Sequence, residues 1–202
     1  MIMNERTFDP SMADRLDDPG RLQWLPPDEV IRVIRLVPGS TVADIGAGTG
    51  YFAFPFAAVV GEGGRVFAID FQREMLSHIR RKLSERGGQD IIQPVEGEGA
   101  KTGLPTGSCD IVFMANIWHE LDDYPAVLRE ARRVLRRNGR LAIVDWRSDL
   151  TPPPGPPASH RVPAVDAQKT LQQEGWSVED AGTLGTYSHY ILASLRSAHD
   201  AP

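Results

Sequence analysis

The sequence predicts an α/β fold in which a doubly wound, largely parallel sheet of seven strands carries helices on both faces. Short β-branched or apolar runs alternate along the chain with longer segments of helical periodicity. Several runs are apolar almost throughout, which is typical of strands covered on both faces. A glycine-rich loop directly follows the first run, Thr41 to Ile45, and indicates a strand, a tight loop and a helix in succession.

The first half of the chain has clear start and stop signals. Prolines and acids begin the first helix, the pair Pro38-Gly39 ends it, and Gly87-Gly88 ends the third helix. The third helix places apolar side chains at every third or fourth position, as expected of a helix packed on a sheet. The elements expected here are, in order, a helix at 26–37, a strand at 41–45, a helix at 51–60, a strand at 66–70 and a helix at 72–86.

The second half continues the alternation. The segment Thr151 to Pro157 holds five prolines and one glycine, so it is expected to be a stiff loop and neither helix interior nor central strand. The other elements expected are strands at 91–95, 110–115 and 140–146, a helix at 162–174, and strands at 176–180 and 188–195.

A helix between the fourth and fifth strands carries an arginine cluster. Its apolar positions from Tyr124 to Leu135 share one face, which places the arginines on the opposite, solvated side. An anionic partner for this cluster is the alternative. The cluster comprises Arg129, Arg132, Arg133, Arg136, Arg137 and Arg140.

Length and composition fit one domain at 1–202, with residues 1–25 as an arm or lid and 26–198 as the core. The single cysteine, Cys109, excludes an intrachain disulfide framework and a cysteine-based zinc site. The N-terminus lacks the apolar core of a signal peptide, and the run at 51–60 is far shorter than the ~20 residues that cross a bilayer. We expect a cytoplasmic protein with no membrane contact.

The segment Asp44-Ile45-Gly46-Ala47-Gly48-Thr49-Gly50 predicts a cofactor site of the nucleotide type. Glycine permits backbone torsions closed to other residues and lets a ligand approach the main chain. Asp70 ends the second strand twenty residues after Gly50, where an acid can accept both hydroxyls of a ribose.

The glycine pattern separates two cofactor classes. Dinucleotide folds use G-x-G-x-x-G, whereas this loop reads G-x-G-x-G and has Tyr51 where that pattern needs a small residue. Asp44, two residues before the first glycine, would repel a pyrophosphate but suits a ligand with a sulfonium and an amino group. S-adenosylmethionine carries both groups.

With these motifs, the sequence resembles the class I S-adenosylmethionine-dependent methyltransferases over roughly Val30 to Leu195. The resemblance implies a Rossmann-like fold whose last strand is antiparallel, with S-adenosylmethionine as cofactor and S-adenosylhomocysteine as product. The similarity is carried by the glycine loop with Asp70, by Leu104-Pro105 followed by Asp110, by the stretch from Leu128 to Gly139, by His119-Glu120-Leu121 and by Asp145-Trp146.

The resemblance implies a role for each strand end in binding the cofactor. Asp44 and the loop backbone would hold the methionine moiety, Asp70 the ribose, and Phe71 the adenine face. Glu98 would lie near the adenine amine, with Glu96 or Ala100 as alternatives. The cofactor-binding residues expected are Asp44, Gly46, Ala47, Gly48, Thr49, Gly50, Asp70, Phe71, Glu98, Gly99 and Asn116.

Methyl transfer mainly requires positioning, so a catalytic group is optional. For a hydroxyl acceptor, His119 is the expected base because imidazole titrates near neutral pH. Alternatively, His119-Glu120 begins or caps the next helix. No catalytic metal is expected, because metal-dependent relatives hold magnesium with an acid after strand four and an Asp-Asn pair after strand five, where this chain has Asn116 and Asp145-Trp146. The residues expected to face the acceptor are Trp118, His119, Asp145, Trp24 and Arg161.

The favoured function is transfer of a methyl group to a small or medium organic acceptor by in-line displacement. Three alternatives are open: a cofactor-binding protein with regulatory or lost catalysis, a protein or RNA methyltransferase, and a nicotinamide oxidoreductase. The net charge of -5 argues against a nucleic-acid partner. A homodimer would fit the absence of a large inserted lid, because the partner subunit could then complete the acceptor site.

Overall fold

The computed structural model describes residues 8–150 and 155–195 and contains one sheet of seven strands. The order along the sheet is β3-β2-β1-β4-β5-β7-β6, and β7 is antiparallel to both of its neighbours. The predicted fold class is therefore confirmed, including the antiparallel last strand. The strands are β1 (Thr41–Ile45), β2 (Arg65–Asp70), β3 (Ile92–Glu96), β4 (Cys109–Ala115), β5 (Leu135–Trp146), β6 (Trp176–Leu184) and β7 (Ser188–Leu195).

In the described parts of the chain, five α-helices cover the two faces of the sheet. Consecutive strand residues such as Val42 and Ala43 point to opposite faces and enter different apolar clusters. One cluster includes side chains from α1, α2 and α3, and the other includes side chains from α4 and α5. The helices are α1 (Pro27–Val33), α2 (Ala53–Val60), α3 (Arg73–Arg86), α4 (Tyr124–Val134) and α5 (Ala164–Gln173).

The C-terminal ends of α1 and β6 differ from the sequence-based expectation. Helix α1 ends at Val33 because Arg35 adopts a left-handed backbone conformation with φ of 57°. Strand β6 continues to Leu184 and pairs with β7 along its length, so the final hairpin is longer than predicted.

The arginine cluster does not lie on one helix. Helix α4 ends at Val134, and Leu135 already pairs with Cys109 in the sheet, so Arg136, Arg137 and Arg140 belong to β5. Three of the cluster's arginines pair with acids: Arg133 with Glu130, Arg136 with Asp110 and Arg140 with Glu179.

Residues 8–25 form an arm that lies against the glycine loop. Two short 3₁₀ helices, Pro10–Asp17 and Pro19–Gln23, make up most of it, and the side chains of Asp9 and Asp18 accept hydrogen bonds at their starts. The ammonium of Lys82 on α3 donates to Asp17 Oδ1 at 2.6 Å and to the main-chain oxygen of Thr49 at 2.7 Å. The arm is thereby joined to both α3 and the glycine loop.

Parts of the expected arm, core and proline-rich loop, namely residues 1–7, 151–154 and 196–198, lie outside the described residues. Within the described parts of the chain, no helix combines the length and apolar character needed to span a membrane.

Candidate active site

A cleft of about 1070 Å³ opens at the carboxyl ends of the parallel strands. It lies where β1 sits between β2 and β4, the point at which strand order reverses and where ligands bind in open α/β sheets. The glycine loop, the segment after β3, the segment after β4 and the arm all contribute walls. The arm residues that line it are Phe8, Met12, Arg15, Leu16, Asp18, Arg21 and Trp24.

The glycine loop is shaped by torsions that favour glycine. Gly46, Gly48 and Gly50 have φ of 72°, 55° and 86°. A Cβ on Gly46 would come within 2.6 Å of Ile117 Cγ2, and one on Gly48 within 3.0 Å of Leu16 Cδ1. A side chain at position 46 would therefore collide with Ile117, and one at position 48 would press on Leu16.

Asp70 connects this loop to the start of α3. Its Oδ2 accepts the backbone N–H of Gly48 at 2.9 Å, and its Oδ1 accepts that of Gln72 at 2.9 Å. Burial raises the pKa of the Asp70 carboxyl, while these backbone donors oppose the shift. Asp70 both lines the cleft and fixes the conformation of the loop beside it.

Asp44 is the most strongly perturbed acid of the site. The residue is only 2% exposed, and its Oδ2 has no hydrogen-bond partner within the described residues. Burial, and secondarily the charge of Asp70, raise the pKa of Asp44 to about 8, whereas Arg21 acts in the opposite direction. An unpaired buried carboxyl that lines a cleft fits a cationic ligand group.

The remaining predicted cofactor residues also border the cleft. Phe71 is exposed beside Asp70, as a residue that stacks on a planar ring must be. Glu98 lines the cleft, whereas the alternative Glu96 turns away and accepts from Arg73 Nε at 3.0 Å. Gly50 does not line the cleft and packs beside Ile79 and Phe54. The other members of the predicted set all line it: Asp44, Gly46, Ala47, Gly48, Thr49, Asp70, Phe71, Glu98, Gly99 and Asn116.

The segment after β4 brings a histidine and two acids together. His119 Nδ1 lies 2.8 Å from Asp145 Oδ1, and the backbone N–H of His119 donates to Asp145 Oδ2 at 2.9 Å. The His119 Nε2 to Glu120 Oε1 distance is 3.9 Å. Burial lowers the pKa of His119, but the hydrogen bond and charge of Asp145, with that of Glu120, outweigh it and raise the value overall.

Three of the predicted acceptor-facing residues lie elsewhere. Trp118 is 1% exposed and packs in the core against Tyr124. Asp145 is buried behind His119 and does not line the cleft. Arg161 donates to the main-chain oxygens of Pro156 and Arg147, so it holds the proline-rich segment in place.

Trp24 and His119 do line the cleft, as does Trp146. The rings of Trp24 and Trp146 are 5.1 Å apart, centroid to centroid, and form an aromatic wall. His119-Glu120 belong to a short 3₁₀ helix, Trp118–Glu120, whereas the next α-helix is capped by Asp123.

Among the ionisable residues of the cleft that sequence reasoning missed, Glu120 and Arg21 have strongly shifted pKa values. Glu120 lines the cleft, and burial raises the pKa of its carboxyl to about 7. Its position beside His119 was the available signal. Arg21 is 7% exposed and lies with its guanidinium 4.2 Å from the ring centroid of Tyr51. Nothing in the sequence signals that contact between residues thirty positions apart.

Across residues 8–150 and 155–195, no group of three or more histidine, cysteine, aspartate and glutamate side chains is arranged to hold a metal ion.

Comparisons with known proteins agree with this geometry. Residues 43–143 match the model of the methyltransferase domain family. A crystal structure of an S-adenosylmethionine-dependent methyltransferase from Aquifex aeolicus superimposes with a TM-score of 0.88 at 33% identity, covering 93% of this chain and 98% of that one.

Two curated relatives match the central part of the chain. The ubiquinone/menaquinone biosynthesis C-methyltransferase UbiE of Hahella chejuensis is 33% identical over 114 residues, 56% of this chain and 46% of that protein. The nocamycin O-methyltransferase of Saccharothrix syringae is 35% identical over 117 residues, 58% of this chain and 40% of that protein. The chain thus spans less than half the length of these relatives. Its family match and its likeness to the Aquifex structure show that the chain belongs to the S-adenosylmethionine-dependent methyltransferases.

Proposed function

We propose that this protein transfers a methyl group from S-adenosylmethionine to a small or medium organic acceptor. The observation that carries the proposal is a continuous cleft of about 1070 Å³, which joins the glycine loop to the histidine and the aromatic wall. Sites for one drug-sized ligand occupy roughly 300–1000 Å³. A cleft at the top of that range accommodates a cofactor and a small acceptor side by side.

The cofactor half fits S-adenosylmethionine in its donor set. Asp44 supplies an unpaired buried carboxyl for a cationic group, and Asp70 supplies a carboxylate at the expected ribose position. The left-handed torsions of Gly46 and Gly48 let the backbone of the glycine loop line the cleft. When bound, the cofactor supplies a methyl carbon activated by a sulfonium.

The acceptor half offers an oriented base. Asp145 accepts from the backbone N–H of His119 and lies within hydrogen-bond distance of its Nδ1, so the ring is fixed with Nε2 as the nitrogen for an acceptor proton. Trp24 and Trp146 give an apolar surface suited to a flat organic molecule. The two curated relatives are named for C-methylation and O-methylation, which both suit acceptors that lose a proton.

Calorimetric titration with S-adenosylhomocysteine and, separately, NADH tests the cofactor first. Micromolar binding of S-adenosylhomocysteine alone is expected. A panel of phenols, quinols and organic acids with methyl-labelled S-adenosylmethionine then tests turnover. Preference for NADH would refute the proposal, and tight cofactor binding with no turnover on a broad panel would favour a regulatory binding protein.

Asp70→Ala is expected to weaken S-adenosylhomocysteine binding by about 2 kcal/mol, because ribose hydroxyls and the N–H of Gly48 lose their acceptor. Calorimetry gives the affinity, and thermal unfolding gives the change in stability. Asp70→Asn is the matched control, since it keeps one oxygen acceptor and should lose less affinity. Unchanged affinity in Asp70→Ala would contradict the ribose assignment.

A further inference from the structure

Arg21 is a buried cation on the arm, outside the stretch 43–143 that matches the family model. Its guanidinium packs on the ring of Tyr51, and its Nη1 donates to the main-chain oxygen of Leu16 at 2.9 Å. These contacts fix the side chain in the cleft wall on the glycine-loop side.

The guanidinium has unused hydrogen-bonding capacity. An arginine carries five N–H donors, and Arg21 Nε is buried without an acceptor anywhere in the described residues. Burial lowers the pKa of Arg21 to about 10, so the group remains charged at neutral pH. A buried charged donor without an acceptor costs free energy, which an anionic ligand group would recover.

Asp44 lies in the same wall and, among the described residues, lacks a hydrogen-bond donor to its Oδ2, whereas Arg21 lacks an acceptor for its Nε. Its Oδ2 is a buried acceptor without a donor, and the two side chains interact electrostatically. A ligand that satisfies both must carry an ammonium and a carboxylate close together. The amino-acid end of S-adenosylmethionine is such a zwitterion.

We propose that Arg21 binds the α-carboxylate of the cofactor while Asp44 binds its α-ammonium, so that the arm completes the cofactor site. This inference rests on the proposed function. Arginine suits the role because its planar fork can donate two parallel hydrogen bonds to one carboxylate.

An anionic acceptor is the competing ligand for Arg21, and the placement of the side chain disfavours it. Tyr51 immediately follows the glycine loop, whereas the oriented base, His119, lies beyond β4. The guanidinium also lies 5.8 Å from the ring centroid of Trp24 in the aromatic wall. Its shorter contact is with Tyr51 and its charge acts on Asp44, which favours the cofactor as its ligand.

Three ligands that differ by one group at a time test the proposal. S-adenosylhomocysteine has both charged groups, decarboxylated S-adenosylhomocysteine lacks only the carboxylate, and 5′-methylthioadenosine lacks the whole amino acid. For Arg21→Gln, binding of S-adenosylhomocysteine should weaken roughly tenfold, whereas binding of the decarboxylated analogue should change less than about threefold.

Arg21→Lys keeps the positive charge but lacks the planar fork of the guanidinium. It should lose an intermediate amount of affinity for S-adenosylhomocysteine, again with little change for the decarboxylated analogue. This variant tests the proposal if Arg21→Gln does not fold. Arg15→Gln is the matched control, since Arg15 also lies on the arm and lines the cleft but is exposed. Equal losses for both ligands would assign Arg21 a packing role and overturn the proposal. A carboxylate-selective loss in Arg15→Gln instead would do the same.

The wild-type protein separates this proposal from the broader one. Binding of S-adenosylhomocysteine and its decarboxylated analogue with equal affinity would refute carboxylate recognition alone. Failure to bind any of the three adenosyl ligands would refute the proposed function itself.

Discussion

His119→Asn should lower kcat for an acceptor that loses a proton by about 100- to 10 000-fold, the usual worth of a general base. Asparagine keeps a side-chain donor near Asp145 Oδ1 but removes the distal nitrogen that would take the proton. Rates under saturating methyl-labelled cofactor measure the effect. Affinity for S-adenosylhomocysteine and the melting temperature should change little, because His119 lies on the acceptor side of the cleft.

The pH profile distinguishes a base from a structural histidine. Asp145 and Glu120 raise the pKa of His119 above 6.5. The fraction of neutral imidazole, and with it kcat, should therefore increase as the pH rises through this raised pKa. Asp145→Asn should move this limb to lower pH and reduce kcat, because it removes a charge that favours imidazolium. A pH-independent rate, or a limb that Asp145→Asn leaves in place, would assign the pair a purely structural role.

The fold was predictable because its signals are local. Apolar runs, glycine pairs and proline-acid starts indicate elements whatever their tertiary partners are. Strand β5 shows the limit of such signals, because it begins at Leu135 and not at position 140 as predicted. Residues 135–137 continue a helical pattern, yet Leu135 pairs with Cys109, a contact that forms only when the sheet assembles.

The site was less predictable because side-chain direction is set by packing. Asp145 and Trp146 both end β5, but neighbouring strand residues point to opposite sides, so the two side chains have different surroundings and only one of them lines the cleft. That residue is Trp146, and Asp145 instead holds His119. Similarly, Trp118 and His119 share one 3₁₀ turn, and the larger apolar ring takes the core.

Affinity for S-adenosylhomocysteine should fall about 50-fold between pH 8 and pH 6, and the slope should approach tenfold per pH unit towards the acid end. Burial raises the pKa of Asp44 to about 8 in the free protein, so the carboxyl is mostly protonated at pH 6. An ammonium beside it favours the carboxylate, so binding below pH 8 must release a proton. The affinity is thus complete above the free pKa and declines below it.

Calorimetry at pH 8, 7 and 6, in buffers of different ionisation heat, measures both the affinity and the proton released. Asp70 and Arg21 also act on Asp44, and burial raises the pKa of Asp70 as well. The control ligand is 5′-methylthioadenosine, which keeps the ribose for Asp70 but has no ammonium. Its affinity should vary much less with pH.

Asp44→Asn should bind S-adenosylhomocysteine weakly at every pH and release no proton, because its amide cannot titrate. If the two ligands showed the same pH dependence, the titrating group would be a residue that both ligands contact, with Asp70 as the first candidate, and not Asp44. A flat response for S-adenosylhomocysteine would mean that its ammonium does not meet the Asp44 carboxylate. The unpaired Oδ2 would then need another ligand group, and the orientation inferred for the amino-acid end would have to be reversed.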